Sequence, residues 1–299
     1  MKTLLLIAAL APMSLLASAQ IDSAQLFIDS LEASFDYQQG QIELRNSIGT
    51  LDVPERFRYL NSEQSRFVLE QLWGNPEDST VLGMIVPSKG GLLADDSWAF
   101  IITFEELGYV EDGDAGEIDY DELLDEMKAD ASAANAYRVG EGYDPIEIVG
   151  WASKPFYDEK KKVLHWAKEI KFGDSPFNTL NYNVRVLGRK GVLVLNAVSP
   201  MEELAAVQES ITPVLSSFTY ADGAKYSDFD PNVDEVAAWT IGGLVAGKVL
   251  AKAGFFALFL KYIKFIIVGV GAIATAIWKW YQRKTTLPDV RNLQDSAKA

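Results

Sequence analysis

The sequence contains no cysteine and a single histidine, His165, in 299 residues. Without cysteine the chain forms no disulfide, offers no thiolate nucleophile and lacks the usual ligands of a structural zinc site. A single histidine in an alternating strand is typical of a structural residue, and it excludes a histidine-based triad elsewhere. The chain also lacks Gly-x-Ser-x-Gly and Ser-x-x-Lys motifs, so a serine hydrolase function has no support.

Positive charge is scarce before residue 236 and predominates after it. The chain has 27 Lys and Arg against 42 Asp and Glu, a net charge of −15. Only two of the 42 acids lie beyond residue 235, Asp289 and Asp295, whereas nine of the basic residues do. The acidic main part argues against nucleic-acid binding and against lying flat on anionic lipid. The basic end coincides with the most apolar stretch, as expected for a membrane protein with a cytoplasmic basic end.

Two apolar stretches predict export and membrane anchoring. Residues 1–19 combine a basic start, a short apolar run and the small-x-small sequence Ala17-Ser18-Ala19. This pattern predicts a cleaved signal peptide, and the alternative is an uncleaved anchor. Residues 262–282 form an apolar stretch with aromatic residues at both ends, which predicts a transmembrane helix in contact with the lipid bilayer. Residues 283–299 are then a basic tail.

The segment before the predicted span favours a second membrane-associated element. Residues 234–261 are rich in Gly and Ala and predict an amphipathic membrane-proximal helix, with two lysines on one face. A second spanning helix, which would return the C-terminus to the exported side, is the alternative. The small residues Gly243, Gly247 and Ala251 recur at a spacing that lets helices approach closely. They predict contact with a membrane protein partner or with a second copy of the chain.

Residues 20–233 predict one exported acidic domain of the α+β class. Hairpins alternate irregularly with helices, which favours an antiparallel sheet with helices on its faces. The strongest hairpin joins Tyr182–Leu187 to Gly191–Val198, and Pro155–Asp158 is interpreted as a turn. The closing hairpin and the amphipathic helix after it resemble PsbP-like domains. Further helices are expected from Ser23, after Asn61 and after Asp119, and further strands at 41–53, 81–86, 97–104, 146–151 and 163–170.

The acidic tract that begins near residue 105 raises the question of a calcium site, because calcium binds several carboxylate oxygens. Asp112 and Asp114 begin like an EF-hand loop, but the template then fails at Gly116, Glu117 and Leu123. Asp119 is predicted to cap a helix, with Glu122 at the capping-box position. An irregular metal site at Asp112, Asp114 and Asp119 stays open, and a solvated helix start and loop is preferred. We expect no cofactor.

A second polar cluster surrounds a glycine pair. Pro87-Ser88-Lys89-Gly90-Gly91 separates two apolar strands and is followed by Asp95, Asp96 and Trp98. Such a loop can place carboxylates at a sheet edge, which makes Asp95 and Asp96 candidate catalytic residues. The preferred interpretation is a tight hairpin whose aspartates cap backbone amides.

Several motifs together resemble a known family. They are Trp73-Gly74-Asn75-Pro76, Leu82–Pro87, Ala94–Ala99, Ile118-Asp119-Tyr120, Gly150-Trp151, Trp166–Glu169 and Leu180–Arg189. The set is similar to a family of bacterial membrane-anchored proteins catalogued as domain of unknown function 2167. The resemblance implies a signal peptide, an exported domain and a C-terminal anchor. It implies no activity and no catalytic residue.

The sequence favours a non-enzymatic binding or interaction module at the bacterial inner membrane. Its main domain is expected outside the cytoplasm. The alternative is a carboxylate-dependent enzyme that acts on an envelope substrate. Two carboxyl groups that converge in a concave pocket would favour the enzyme.

Overall fold

The computed structural model describes residues 26, 28–90, 92 and 97–249. The helices are α1 (residues 28–33), α2 (Ser62–Arg66, continued by a π-helical segment Phe67–Leu72), α3 (Tyr120–Gly140), α4 (Leu204–Ser217) and α5 (Ile241–Ala246). The strands are β1 (Gly40–Glu43), β2 (Gly49–Val53), β3 (Phe57–Asn61), β4 (Val81–Pro87), β5 (Ala99–Glu105), β6 (Ile146–Asp158), β7 (Val163–Phe172), β8 (Thr179–Leu187), β9 (Val192–Pro200) and β10 (Phe218–Tyr220).

The strands form two antiparallel sheets. The larger sheet has seven strands in the order β3-β4-β5-β9-β8-β7-β6, and the smaller one has the order β1-β2-β10. Strands β6 to β9 are consecutive hairpins, and β9 returns to pair with β5. The fold is therefore α+β with antiparallel sheets and helices, as predicted.

The main core lies between one face of the large sheet and a layer made of α4 and the small sheet. Phe100 and Ile102 of β5 and Leu195 of β9 point into it, and Leu51 of β2 and Val214 of α4 cover them. All five are at most 1% exposed. Apolar residues at every second position of the central strands place this core on one side of the sheet.

The opposite face of the large sheet is covered at its two ends. Helices α1 and α2 pack over β3, β4 and the start of β5, around Val68 and Met84. Helices α3 and α5 pack over β7 and the ends of β8 and β9, around Trp166 and Leu244. The two apolar clusters share no residue, so this face has two separate cores with sheet surface between them.

The predicted turn at Pro155–Asp158 is wrong. Strand β6 continues to Asp158, with Phe156 opposite His165 and Asp158 opposite Val163. Proline has no N–H to donate, so strands tolerate it at an edge or an irregularity. Here β6 is the edge strand, and its register shifts between Ser153 and Phe156.

Two further features differ from expectation. Strand β3 was not predicted, and Phe67, an apolar residue of the helix predicted after Asn61, is 42% exposed. After Arg66 the helix widens to π geometry, with the N–H of Trp73 bonded to the carbonyl of Val68, five residues back. The wider turn rotates the residues around it, so that Val68 and Leu69 face the sheet and Phe67 does not.

The segment that precedes the predicted span begins inside this domain. Among residues 234–249 the only helix is α5, which Thr240 caps and which ends at Gly247 with φ 72°. Ile241 and Leu244 are buried against the sheet, and Lys248 Nζ lies 2.6 Å from a carboxylate oxygen of Asp130 on α3. The described part differs from one continuous amphipathic helix because its apolar residues pack into the domain core. Residues 250–261 lie outside the described residues.

Candidate functional site

The uncovered centre of the large sheet carries polar side chains. Successive residues of a strand point to opposite faces, and paired strands keep the same alternation. Alternate residues of β7 and β8, together with one residue of β9, therefore share the face that helices cover only at its ends. We call this set the polar track. It consists of Lys168, Asn181, Asn183, Arg185 and Asn196, together with Trp166 at its edge, where the apolar cluster beneath α3 and α5 begins.

A cleft of about 460 Å³ opens over part of the polar track. Its floor includes Asn183, Arg185 and Asn196, together with Thr103 of β5. One wall is the π-helical end of α2 with the loop that follows it, residues 73–80. The cleft exists because α2 stops at Leu72 and α3 covers the sheet only from the β6 side.

The loop of the wall is held in a defined conformation. Gly74 adopts φ 69°, a left-handed conformation that favours glycine. Asn75 donates both its backbone N–H and its side-chain amide to the carbonyl of Leu69, at 2.9 and 3.1 Å. Pro76 follows at once. The sequence Trp73-Gly74-Asn75-Pro76 therefore ends α2 and fixes the entrance of the cleft.

Three asparagines of the polar track form a hydrogen-bonded chain. Asn183 Nδ2 donates to Asn181 Oδ1 at 2.7 Å, and Asn181 Nδ2 donates to Asn196 Oδ1 at 3.1 Å. Within the described residues, Asn183 Oδ1 and Asn196 Nδ2 make no hydrogen bond. Asn183 therefore offers an acceptor, and Asn196 a donor, to a ligand or to water. A chain of amides with free ends on a cleft floor can bind groups that both donate and accept hydrogen bonds.

Arg185 is the cation of the cleft floor. Its Nη1 lies 2.6 Å from Glu105 Oε1, and its side chain is 13% exposed. Its Nε is buried and has no partner in the described part of the chain. The guanidinium lies 5.8 Å from the centroid of the Trp166 ring. The ion pair with Glu105 therefore uses part of the donor fork and leaves the Nε–H unused.

Lys168 is a second cation on the same face. Among the described residues its amine makes no hydrogen bond and no ion pair. Burial lowers the pKa of Lys168, and the positive charge of Arg185 lowers it further. Its neighbour Glu169 points to the opposite face, where it accepts from Asn178 Nδ2. The structure thus places two cations near each other on β7 and β8, and Glu105 of β5 is paired with one of them.

The acidic candidates do not come together. Asp112 is bound within a hydrogen-bonded cluster, Asp114 Oδ1 accepts from the N–H of Ile241 at 3.3 Å, and Asp119 caps α3. Asp119 accepts from the N–H groups of Asp121 and Glu122, which confirms the predicted cap. In the part of the chain that the structure describes, no three His, Cys, Asp or Glu side chains form a group suited to a metal.

The partners of Asp112 come from distant parts of the sequence. Lys162 Nζ and Tyr157 Oη each lie 2.6 Å from its Oδ2, and Tyr226 Oη lies 3.1 Å from its Oδ1. Burial alone would raise the pKa of Asp112, but the hydrogen bonds from Lys162 and Tyr157 outweigh it and hold the pKa below its usual value. Tyr109 stacks on Tyr226 and on Phe229 beside the cluster. Asp112 therefore ties the segment after β10 to the domain.

Asp95 and Asp96 lie outside the described residues. Trp98, named with them, is a core residue: it is buried against Phe57 and Phe100. Lys89 and Gly90 line a separate cavity of about 280 Å³ beside Arg58. The described part of this loop thus lies away from the polar track.

His165 lies on the core side of β7, opposite to the polar track. Its ring packs edge-on against Phe156 at 5.3 Å, and Tyr182 Oη lies 3.5 Å from its Nδ1. Burial lowers the pKa of His165, so the ring is neutral at pH 7. These contacts are those of a packing residue.

Gly243 is buried in α5, and Gly247 ends that helix in the left-handed conformation. Ala251 lies outside the described residues. Contact with a membrane partner through these three positions stays a prediction.

Sequence reasoning missed the polar track, although its signal was present. Asn181, Asn183 and Arg185 stand two residues apart in a strand of β-branched and aromatic residues, and Trp166 and Lys168 have the same spacing. Polar residues at every second position of a strand usually indicate a solvated face. That all of them lie on a half-covered face at the centre of a sheet depends on strand order, which the pattern does not provide.

Comparisons with known proteins give a family and distant structural similarities. A comparison with curated proteins finds no match. Cyanobacterial PsbP from Synechocystis sp. PCC 6803 is 10% identical, over 62% of this chain and 92% of that one, with a TM-score of 0.35. The Ran-binding protein Mog1p of Saccharomyces cerevisiae is 12% identical, over 66% and 100%, with a TM-score of 0.34. LpqN of Mycobacterium tuberculosis, involved in cell envelope biogenesis, is 13% identical, over 65% and 96%, with a TM-score of 0.31.

These structural similarities are too distant to bear on ligand or partner, and the resemblance to PsbP-like domains stays a prediction. The match to a family model is stronger evidence than these structural similarities, because it covers most of the chain. The family model described as protein of unknown function (DUF2167) matches residues 36–274, which include every described strand and helices α2 to α5. The chain therefore belongs to this family, as its motifs predicted.

Proposed function

We propose that this chain is a non-enzymatic binding module of the bacterial envelope and that its ligand binds in the cleft over the polar track. One observation carries the proposal: hydrogen-bonding side chains occupy the middle of one face of the large sheet, between the two apolar clusters that helices cover. Replacing a buried polar network by apolar residues of similar volume is often neutral or stabilising. Stability alone therefore gives no reason to keep three asparagines and two cations at this place.

The position of the cleft supports the proposal. Two of the motifs that resemble the family contribute to it from distant parts of the chain. Asn75 and Pro76 of Trp73–Pro76 line the wall, and Asn183 and Arg185 of Leu180–Arg189 line the floor. A third motif, Trp166–Glu169, supplies the adjoining strand. Concave sites with a few convergent polar groups are the usual place for small ligands.

The enzyme alternative concerns Asp95 and Asp96, which lie outside the described residues. Of the acids that line the cleft, Glu70 is bound to Arg66 Nε at 2.8 Å, and the hydrogen bond from Arg66 lowers its pKa. Glu70 is therefore charged at neutral pH and does not act as a proton donor.

The binding proposal is tested by removing the amide chain as a unit. The variant with Asn181→Leu, Asn183→Leu and Asn196→Leu leaves no half-satisfied network, so we expect its thermal stability to equal or exceed that of the wild type. We expect it to lose the ligand. Full chains of both are purified in detergent from native membranes, and the small molecules that they release are compared by mass spectrometry.

The expected result is a small molecule that the wild type retains and the variant does not. The same small-molecule extract of the envelope should raise the unfolding temperature of the wild type and leave that of the variant unchanged. Equal retention and equal temperature shifts for the two proteins would contradict a binding role of the cleft.

We also propose that the module is held at the inner membrane by a single span over residues 262–282. The support is the sequence: an apolar stretch long enough to cross the bilayer, a signal-peptide pattern, and basic residues after the span. Among the described residues no helix has the length and the apolar character that a membrane span requires. The predicted span lies outside them.

Removing the predicted anchor should release the protein. A chain that ends after residue 261 is expected in the soluble exported fraction of a bacterial host, whereas the full chain stays with the membranes through a carbonate wash. A matched variant that lacks only residues 283–299 should remain membrane-bound. If the chain that ends after residue 261 stays with the membranes, another segment anchors it and the proposal is wrong.

A further inference from the structure

Three hydrogen-bond donors of the polar track have no acceptor among the described residues. Trp166 Nε1 and Arg185 Nε are both buried and lack an acceptor among the described residues. The amine of Lys168 makes no hydrogen bond or ion pair there either. These three residues lie on adjacent strands and share one face, and Arg185 lies over the Trp166 ring. All three of the unused groups are N–H donors.

A surplus of buried donors is costly unless an acceptor enters. An unpaired buried donor costs about 1–3 kcal/mol, and more when it is charged. Among the described residues, Glu105 is the only carboxylate paired with Arg185 or Lys168, and it binds Arg185 through one nitrogen. The described residues therefore leave the charge of Lys168 without an ion-pair partner on this face.

The geometry points to an anionic group, a carboxylate or a phosphate, that binds Arg185 and Lys168 at the polar track. This inference rests on the proposed binding function and narrows it to the chemistry of the ligand. The anion would accept from the unused donors, and the free amide ends of Asn183 and Asn196 would bind the part of the ligand that enters the cleft. Arginine suits this role because its donor fork matches the oxygen geometry of both anions.

The acids near the site do not supply this partner. Glu70 is held in an ion pair with Arg66, and Asp78 accepts from the N–H and the hydroxyl of Thr80. Glu77 and Asp78 are exposed to solvent at the outer wall, where water and salt screen their charge. The rest of the acidic chain repels anions, so an anion that binds must find local positive charge.

The test measures the ionisation of Lys168 in the full chain in detergent. Competitive amine labelling over the alkaline range, read by mass spectrometry of the peptide that contains Lys168, gives its apparent pKa. The probes are inorganic phosphate and an N-blocked dipeptide with a free carboxylate. We expect a bound anion to favour the charged amine and to raise the pKa. A rise of one unit slows labelling about tenfold at pH values below the pKa, where the amine is mostly protonated with or without the anion.

Three controls accompany the measurement. Sodium chloride at equal ionic strength accounts for screening, and the amide of the same dipeptide tests whether charge matters. Lys171, on the same strand but the opposite face, should not respond to either anion. In Arg185→Gln the pKa of Lys168 should rise without any anion, because a like charge is removed, and the further effect of the anions should be lost.

A response to one anion alone supports the inference and identifies which group binds. No response to either anion, or an equal response to chloride, overturns it. An equal response to the neutral dipeptide amide also overturns it but leaves the proposed binding function standing. If the asparagine variant loses its ligand and neither anion changes the pKa of Lys168, the binding function stands and the anion inference fails.

Discussion

Replacing Phe100 with alanine is expected to lower the free energy of unfolding by about 3–5 kcal/mol. Phe100 is the second residue of β5 and is fully buried, and its ring packs edge-on against Trp98 at 5.5 Å. Strand β5 joins the hairpins β6–β9 to β3 and β4, so the cavity would open where the two halves of the large sheet meet. Domains are typically stable by about 5–15 kcal/mol, and this one change would remove a large part of that.

Urea unfolding of the detergent-solubilised chain, followed by tryptophan fluorescence, measures the change. Phe177→Ala is the matched control, because that ring is 68% exposed. We expect it to change the stability by no more than about 0.5 kcal/mol. Equal unfolding midpoints for the two variants would show that β5 is not central to the core.

The second large effect is expected at Gly191, in the turn between β8 and β9. A Cβ added there would lie 2.2 Å from the backbone oxygen of Glu105 and 2.9 Å from the ring of Phe104. Backbone cannot move aside as a side chain does, so β5 and β9 would have to separate at this end. We expect Gly191→Ala to destabilise the chain by about 1–3 kcal/mol.

Gly191→Ala should also disturb the polar track. The added Cβ would contact the backbone of Glu105, and the side chain of Glu105 forms the ion pair with Arg185. Gly150→Ala is the matched control: Gly150 also belongs to the large sheet, and a Cβ there has no atom within 4 Å. Alanine restricts the unfolded chain more than glycine does, so the control should be neutral or slightly more stable. Equal thermal unfolding temperatures for both alanine variants would contradict the close approach of β5 and β9 at Gly191.

The covering layers explain why the middle of one face of the sheet is apolar and the middle of the other is polar. On the core side, α4 and the small sheet cover the central strands, whose residues there are buried. The other side is closed only at its two ends. Polar residues are tolerated in the open middle because water or a ligand can satisfy them.

Local signals in the sequence determined much of the fold. The hairpin β8–β9, the end of β4 at Pro87 and the N-caps Asn61 and Asp119 were all readable, because each depends on residues close together in the chain. The absence of cysteine likewise settled, without any structure, that the chain folds without disulfides. Alternation also fixed that Asn181, Asn183 and Arg185 share one face of β8.

Only the tertiary structure decided which face that is and what covers it. Strand order placed Asn196 and Trp166 on either side of Asn183, and the early end of α2 left the cleft open. Asp112, a candidate metal ligand in the sequence, accepts hydrogen bonds from Lys162, Tyr157 and Tyr226, which are 50, 45 and 114 residues away in the chain. These bonds give it a structural role. The physical reason is the same in each case. Periodicity predicts which side chains of one strand or helix share a face. Which residues of other strands and helices contact that face depends on how the whole chain packs.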